Sequence, residues 1–449
     1  MLDAIIEHQV SFSNGGMRTI LKLRNWFGVA FLSVAFVLTG NRLALPQPSP
    51  NRLRFAHTFT TESEQTILAN AIAEFAASHP GVTVEQIVSN SEVYNTVGWR
   101  LQFQGRCQPD IYFHWQGFKV QYCIDHGWAM DLTPFLAPGF PGEFIPSAIR
   151  KQNGGVYFLP QSADISNLIW YDRDLFTRLN LREPKSLEEW LQQCAVIRQA
   201  GILPLAQGNR DLWPMGNLAA EFLGQSLGAG PSGQLFQPRV AVQPEQLRGL
   251  NAFVFLLNQR CFDLPGVLDA GAVGSLSDID AKVMFLSGKS AQHILGSWFL
   301  ADIADARQKN ELKFSVGVLP VPAATGEVDA MTGVSTGFLV NPRTKNPKAA
   351  LEFLELLLSK KYQSQFAKLG NLSVRRDAAE FTNDPLATRM LEMLASTSAL
   401  VPPPDTGYRP EQAAVFYEMC GKILTGNLDL PRAAEYWTRE KENLARKGL

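Results

Sequence analysis

Two tryptophans and one carboxylate stand where a chain of alternating strands and helices would open a cleft. Trp115 follows the apolar stretch Asp110–Phe113, with His114 beside it, and Trp298 follows Gly296-Ser297 at the end of Ser290–Leu295. Open α/β sheets collect ligands at the carboxyl ends of their strands. An indole there offers a large flat apolar face at little conformational cost. Asp164 closes the polar centre Gln161-Ser162-Ala163-Asp164, which lies between two apolar stretches. A carboxylate takes hydroxyl donors in charge-assisted hydrogen bonds. Plates and acceptors together suit a small ring with apolar faces and a polar rim.

Other chemistries find less support. No His-Glu-x-x-His and no phosphate-binding Gly-x-x-x-x-Gly-Lys loop occurs, and no Tyr-Tyr pair offers hard anionic ligands to iron. The five cysteines, Cys107, Cys123, Cys194, Cys261 and Cys420, contain no Cys-x-x-Cys, and their odd number leaves at least one unpaired. Cys107 and Cys123 could pair in an oxidising compartment; buried thiols are the plainer reading. Nothing in the sequence calls for a metal or another cofactor. Net charge is −1 and no basic cluster stands out, so neither nucleic acid nor an anionic membrane is an expected partner. Glycoside hydrolysis stays open as an alternative, since Asp164 and Glu62 could flank one bond.

The elements that must position these groups alternate. Leu53–Ala56 reads as a strand and Glu64–Ser78 as a helix, with Ile67, Leu68, Ala71, Ile72 and Phe75 on one face and His79-Pro80-Gly81 as its stop. Val82–Val88 is a β-branched strand, Tyr94–Gly105 a helix and Pro109–Phe113 the next strand. That order predicts a parallel α/β layer. Ser186-Leu-Glu-Glu189 is a capping box opening a helix, and helices are expected near 215–227, 243–259, 278–286 and 298–309. Asn346-Pro347 opens another with proline in the first turn, and two more follow Pro410 and Pro431. Strands return late, at Phe314–Val318 and Thr336–Val340, so two α/β lobes interleave, and pockets favour such interfaces.

Residues 1–50 read as an export segment. Arg18, Lys22 and Arg24 precede the apolar run Trp26–Gly40, followed by a Pro- and Asn-rich linker at 41–52. The run is short against the roughly 20 residues of a spanning helix. Its Leu38-Thr39-Gly40 ending resembles a lipoprotein signal, but Asn41 stands where the lipidated cysteine would be. Lipidation there is excluded, leaving cleavage near Leu43-Ala44 or retention as a tether. Met17 is an alternative start. Both outcomes place the main domain in the periplasm or elsewhere outside the cytoplasm.

Several stretches, in order, carry a family resemblance. Gly155-Val-Tyr-Phe-Leu-Pro160 followed by Leu168-Ile-Trp-Tyr-Asp-Arg-Asp-Leu-Phe176 resembles the lobe crossover of extracellular solute-binding proteins (family 1) of bacterial carbohydrate ABC importers, within the maltose-binding superfamily. Asp172 and Arg173 depart mildly from that family's Asn and Lys. Pro184–Trp190, Gly201–Ala206, Pro109–Gly117, Gly127–Pro134, Phe285–Ala291 with Gly296-Ser297-Trp298, Val318–Pro322, Asn346–Phe353 and Gly370–Arg375 are similar to the family in the same order. The resemblance spans about 52–445. It implies a two-lobed periplasmic-binding-protein fold with a hinged cleft: a first lobe of 52–161 plus 316–340 and a second of 165–312 plus 345–445. It implies capture of a sugar or sugar-like solute without catalysis, an ABC permease as partner and a monomeric protein. A membrane-anchored sugar sensor is the alternative within the same fold. By resemblance Trp298 stacks on sugar, Trp213 matches a second-lobe aromatic, Phe416 falls where a stacking tryptophan sits, Asp164 aligns near a sugar-binding Glu and Glu62 near a polar contact. Arg375 or Arg376 are weaker ligand candidates.

Overall fold

A computed structural model describes residues 51–448 apart from 106–107, 146–147, 150, 153, 270, 324–329 and 398. The export segment, Asn41 and Cys107 lie outside the described residues. Eleven strands are described: β1 (Arg52–His57), β2 (Thr83–Val88), β3 (Ile111–Trp115), β4 (Leu159–Ile165), β5 (Leu168–Asp172), β6 (Leu203–Ala206), β7 (Ser290–Leu295), β8 (Val316–Pro320), β9 (Ala330–Val340), β10 (Leu372–Ser373) and β11 (Ala399–Val401). They form two sheets. The larger runs β10-β4-β9-β3-β1-β2, with β11 also on β9, and the smaller runs β6-β7-β5-β8.

The larger sheet is mixed. β1 pairs in parallel with β2 and β3, while β9 runs antiparallel to both β3 and β4. The parallel part rests on the helix Glu62–Ser78, which buries Ile67, Leu68, Ala71 and Phe75. Thr61 caps it: its hydroxyl accepts from the Glu64 N–H, and the Glu64 carboxylate accepts from the Thr61 N–H. Phe55, Phe338 and Phe353 meet edge to face in this core, with centroids 5.5 Å apart between Phe55 and each of the others. Each fully buried ring of this kind contributes roughly 1.5–3 kcal/mol.

The smaller sheet is covered by the helices Leu187–Gln199, Trp213–Leu227, Asn251–Asn258 and Pro410–Leu424, whose apolar faces share one core with it. The chain passes from β4 in the larger sheet to β5 in the smaller through Ser166 and Asn167 alone. Three elements sit otherwise than the expected lobe boundaries. Val316–Pro320 belongs to the smaller sheet, because β8 pairs antiparallel with β5 along its whole length. The helix Pro347–Leu357 and the one after it, Lys360–Ala367, pack into the core of the larger sheet through Ala350, Phe353, Leu354, Leu357, Tyr362 and Phe366. Cys123, Cys194, Cys261 and Cys420 are free and buried.

Candidate functional site

A cleft of about 240 Å³ is lined by strands of the larger sheet, by Ser166 of the crossover, and by a loop and helices that flank the smaller sheet. It exceeds the ~150 Å³ that holds one benzene-sized ring, so a small ring-shaped solute is the right scale. β3 supplies Phe113 and Trp115. Side chains alternate across a strand, and the same alternation turns Tyr112 and His114 away from it. Trp115 is held edge-on by Phe113 at 5.1 Å, with the Lys119 ammonium 4.7 Å from its ring centre. Opposite, the loop after β7 carries Trp298 and the first turn of the helix Trp213–Leu227 carries Trp213, their rings 6.2 Å apart. Gly296 permits this: a Cβ there would meet the Trp298 ring at 2.1 Å. Leu212, just before Trp213, holds φ at +62°, a left-handed strain that a non-glycine residue adopts only where its surroundings compel it.

Asp164 lies on β4 with Ser162 two residues before it on the same face. The Ser162 hydroxyl pairs with that of Thr336 at 2.7 Å, and Thr336 and Asp164 both line the cleft. Burial, and then the nearby Glu64 charge, push the Asp164 carboxyl up to about 7. Five more carboxylates reach the same space: Glu64, Glu92, Asp278, Asp302 and Asp405. Burial raises Glu92 to about 7, with Asp278, Asp211 and Asp405 adding repulsion. It raises Asp278 to about 6, an effect that Lys282 opposes. Lys282 stands 3.9 Å from Asp278 and 3.6 Å from Asp302. Asp405 accepts from the Asn95 amide at 2.7 Å, and Asn95 in turn accepts from Lys119.

Of the seven residues expected from sequence, Trp115, Asp164, Trp213 and Trp298 line this cleft. Three do not. Glu62 is exposed on the first turn of its helix and faces Lys309 at 3.9 Å, while Glu64, two residues on, turns inward as the cap. His114 is wholly buried behind β3, 4.8 Å from the Trp99 ring, and burial drives its pKa far down so that it is neutral. Phe416 is wholly buried between Phe236 and Trp437, because it lies on the inner face of Pro410–Leu424. Arg375 is committed to Glu143 and Asp377, and Arg376 to the Gly142 carbonyl, so neither reaches the cleft. The five additional carboxylates and Lys282 are not singled out by the sequence patterns. Glu64 is a helix cap and Glu92, Asp278 and Asp405 open short first turns, so each reads in sequence as capping.

Among the described residues the expected hydrolase pair is not formed at the cleft. Glu62 is not brought to Asp164, and the string Gly333-Val-Ser-Thr-Gly337 has nucleophile-elbow spacing but runs inside β9. An elbow needs a sharp strand-to-helix turn.

The chain matches the family model described as bacterial extracellular solute-binding protein over residues 60–364. It is 24% identical over 303 residues to an uncharacterized ABC transporter extracellular-binding protein of Pyrococcus horikoshii. That match spans 66% of this chain and 66% of the relative, a little under two thirds of its length. Among solved structures it resembles one from work on xylan utilization by Caldanaerobius polysaccharolyticus, with TM-score 0.77 and 18% identity over 87% of this chain and 99% of that one. It also resembles a maltose/maltodextrin-binding domain from Bdellovibrio bacteriovorus bound to maltotriose, with TM-score 0.68 and 19% identity over 88% and 100%.

Proposed function

The chain belongs to the bacterial extracellular solute-binding protein family, and from that premise we propose that it is the substrate-binding component of an ABC-type importer, with a sugar or sugar-like solute as cargo. The observation that carries the reading is the convergence of Trp115, Trp213 and Trp298 with Asp164 on one cleft between two sheets. A pyranose ring presents C–H faces to indoles and hydroxyls to carboxylates. The maltotriose-bound relative and the one from xylan utilization support a saccharide cargo. Binding, not bond cleavage, is the activity: the solute enters, the lobes close, and the closed form hands it to a membrane permease. Closure is driven only by contacts that are better in the closed state than in the open one. The Ser63 hydroxyl donates to Asp305 at 2.6 Å, joining the helices Glu62–Ser78 and Phe299–Gln308. The protein works outside the cytoplasm as a monomer, either released by cleavage of the export segment or tethered by it.

The test is thermal unfolding of the full chain against mono-, di- and oligosaccharides, polyols and glycerol phosphodiesters. A ligand at 1,000 times its dissociation constant stabilises by about 4 kcal/mol. A clear shift with a saccharide that is recovered unaltered is the expected result. Product released from a glycoside, or a response to a non-carbohydrate alone, overturns the reading.

A further inference from the structure

The cleft holds more carboxyl groups than a neutral ring requires. Six carboxylates line it, Glu64, Glu92, Asp164, Asp278, Asp302 and Asp405, against one lysine among the described residues. That lysine, Lys282, is already shared between Asp278 and Asp302. The other nearby cations are engaged as well. Lys119 lies buried behind Trp115 and donates to Asn95, Arg100 stacks on Trp99 and Tyr122, Arg210 faces Asp211 and Asp280, and Lys309 sits at the rim beside Glu62. Asp211 and Asp305 add further acid at the edges.

The carboxylates repel one another across the gap between lobes. Glu64, on the first helix, feels Asp302 on the helix Phe299–Gln308, and Glu92 feels Asp278. A second observation points the same way. Asp278 is 9% exposed and lines the cleft; its Oδ2 faces Lys282 at 3.9 Å, while its Oδ1 has no hydrogen-bond partner among the described residues. A hydroxyl can donate to such an oxygen, but it cannot neutralise like charges that closure presses together. A cation does both, and a phosphate or carboxylate ligand makes the repulsion worse.

We propose that the solute held in this cleft is an aminated sugar or aminocyclitol, whose protonated amine sits among Glu92, Asp278 and Asp405 while its ring lies against the indoles. The inference rests on the sugar-binding reading above and narrows it. It excludes sugar phosphates and glycerol phosphodiesters as cargo.

Calorimetric titration of the full chain at pH 7 with matched pairs tests it: D-glucosamine against D-glucose, D-galactosamine against D-galactose, and the β-1,4-linked glucosamine disaccharide against cellobiose. In at least one pair the amine binds ten-fold or more tightly than its neutral counterpart. That preference shrinks in 0.5 M NaCl, because screening weakens charge pairing, and at pH 5, where the raised carboxylates are protonated. Glu92→Gln and Asp278→Asn each reduce it several-fold. A neutral member that binds as tightly as its amine, or a preference indifferent to salt, overturns the amine while leaving sugar capture standing. Silence from every sugar in both sets overturns the two readings together.

Discussion

The hinge and the cleft of this protein both bury carboxylates, and they use them differently. At the hinge, Glu221 is wholly buried, and its Oε2 accepts from the Asn167 amide at 2.9 Å and the Thr332 N–H at 3.1 Å. The Asn167 amide also donates to the Asn217 carbonyl, and the Ser166 N–H to the Thr332 carbonyl at 2.7 Å. Glu221 therefore ties the crossover Ser166–Asn167 to β9 and to the helix Trp213–Leu227. In the cleft, Asp164 has the Ser162 hydroxyl nearby and otherwise faces open space. Burial raises both carboxyls, Glu221 to about 8 and Asp164 to about 7. A shifted carboxyl thus reports burial at either place, and only the surroundings separate a fastening from a binding group.

Removing the fastening gives the largest expected effect. Glu221→Ala strands the buried Thr332 N–H and one hydrogen of the Asn167 amide, whose other hydrogen keeps the Asn217 carbonyl. Each unsatisfied donor costs about 1–3 kcal/mol, so urea unfolding should show a loss of ~3 kcal/mol. Affinity of the folded fraction for its solute should stay within about threefold. Wild-type stability in this variant would break the contrast from the hinge side.

Trp298→Ala should show the reverse. A buried aromatic anchor in a binding pocket is worth about 2 kcal/mol or more when truncated, roughly a thirty-fold loss of affinity. The unfolding midpoint should move much less than with Glu221→Ala, because the ring is only partly buried and its loop stays fastened. That loop is held by the Ser297 N–H to the Ile165 carbonyl at 2.8 Å. Equal affinity in wild type and variant would remove Trp298 from the binding surface.

Much of this contrast is legible in the sequence, and the failures have physical reasons. Trp115 and Trp298 stand out because strand ends are where ligands gather, and both line the cleft. His114 fails by a rule that applies to any strand: neighbours point to opposite faces, so His114 and Trp115 cannot share one. Glu62 fails against Glu64 because a first-turn acid serves cap and cleft alike until the helix is placed. Phe416 has Ala413, Met419 and Cys420 buried with it on one helical stripe, which marks core. The direction of β9 is not legible at all. Alternation shows which face a residue takes but not which way its strand runs: the expected parallel layer of β1, β2 and β3 holds, and β9 joins it antiparallel. Glu221 lies in an apolar helix, and no local pattern marks its partners at Asn167 and Thr332, 54 and 111 residues away.

The smallest effect is the most discriminating, since it follows Asp164 through its titration. Its carboxyl titrates near 7 when folded against an ordinary 3.8. The folded state therefore holds the proton more tightly, and this contribution to stability is fully present below about pH 3.8 and is lost as pH rises through 7. Asp164→Asn removes the penalty of the charged form. The variant without solute should gain ~1–2 kcal/mol over wild type at pH 8 and much less at pH 5. That is only part of the shift at 1.36 kcal/mol per unit, because the carboxyl faces water in the open cleft. Glu221 carries a slope of the same sign, lost through about pH 8, and the Asp164→Asn variant keeps it. The two are separated by solute. Saturating an aminated sugar should flatten the wild-type stability profile between pH 5 and 8 by more than Asp164→Asn does, because a cation among Glu92, Asp278 and Asp405 relieves those raised carboxyls as well as Asp164 and cannot reach Glu221. A profile flattened completely by solute would mean that the hinge carboxyl also answers to the ligand, and the division between fastening and binding groups would fail.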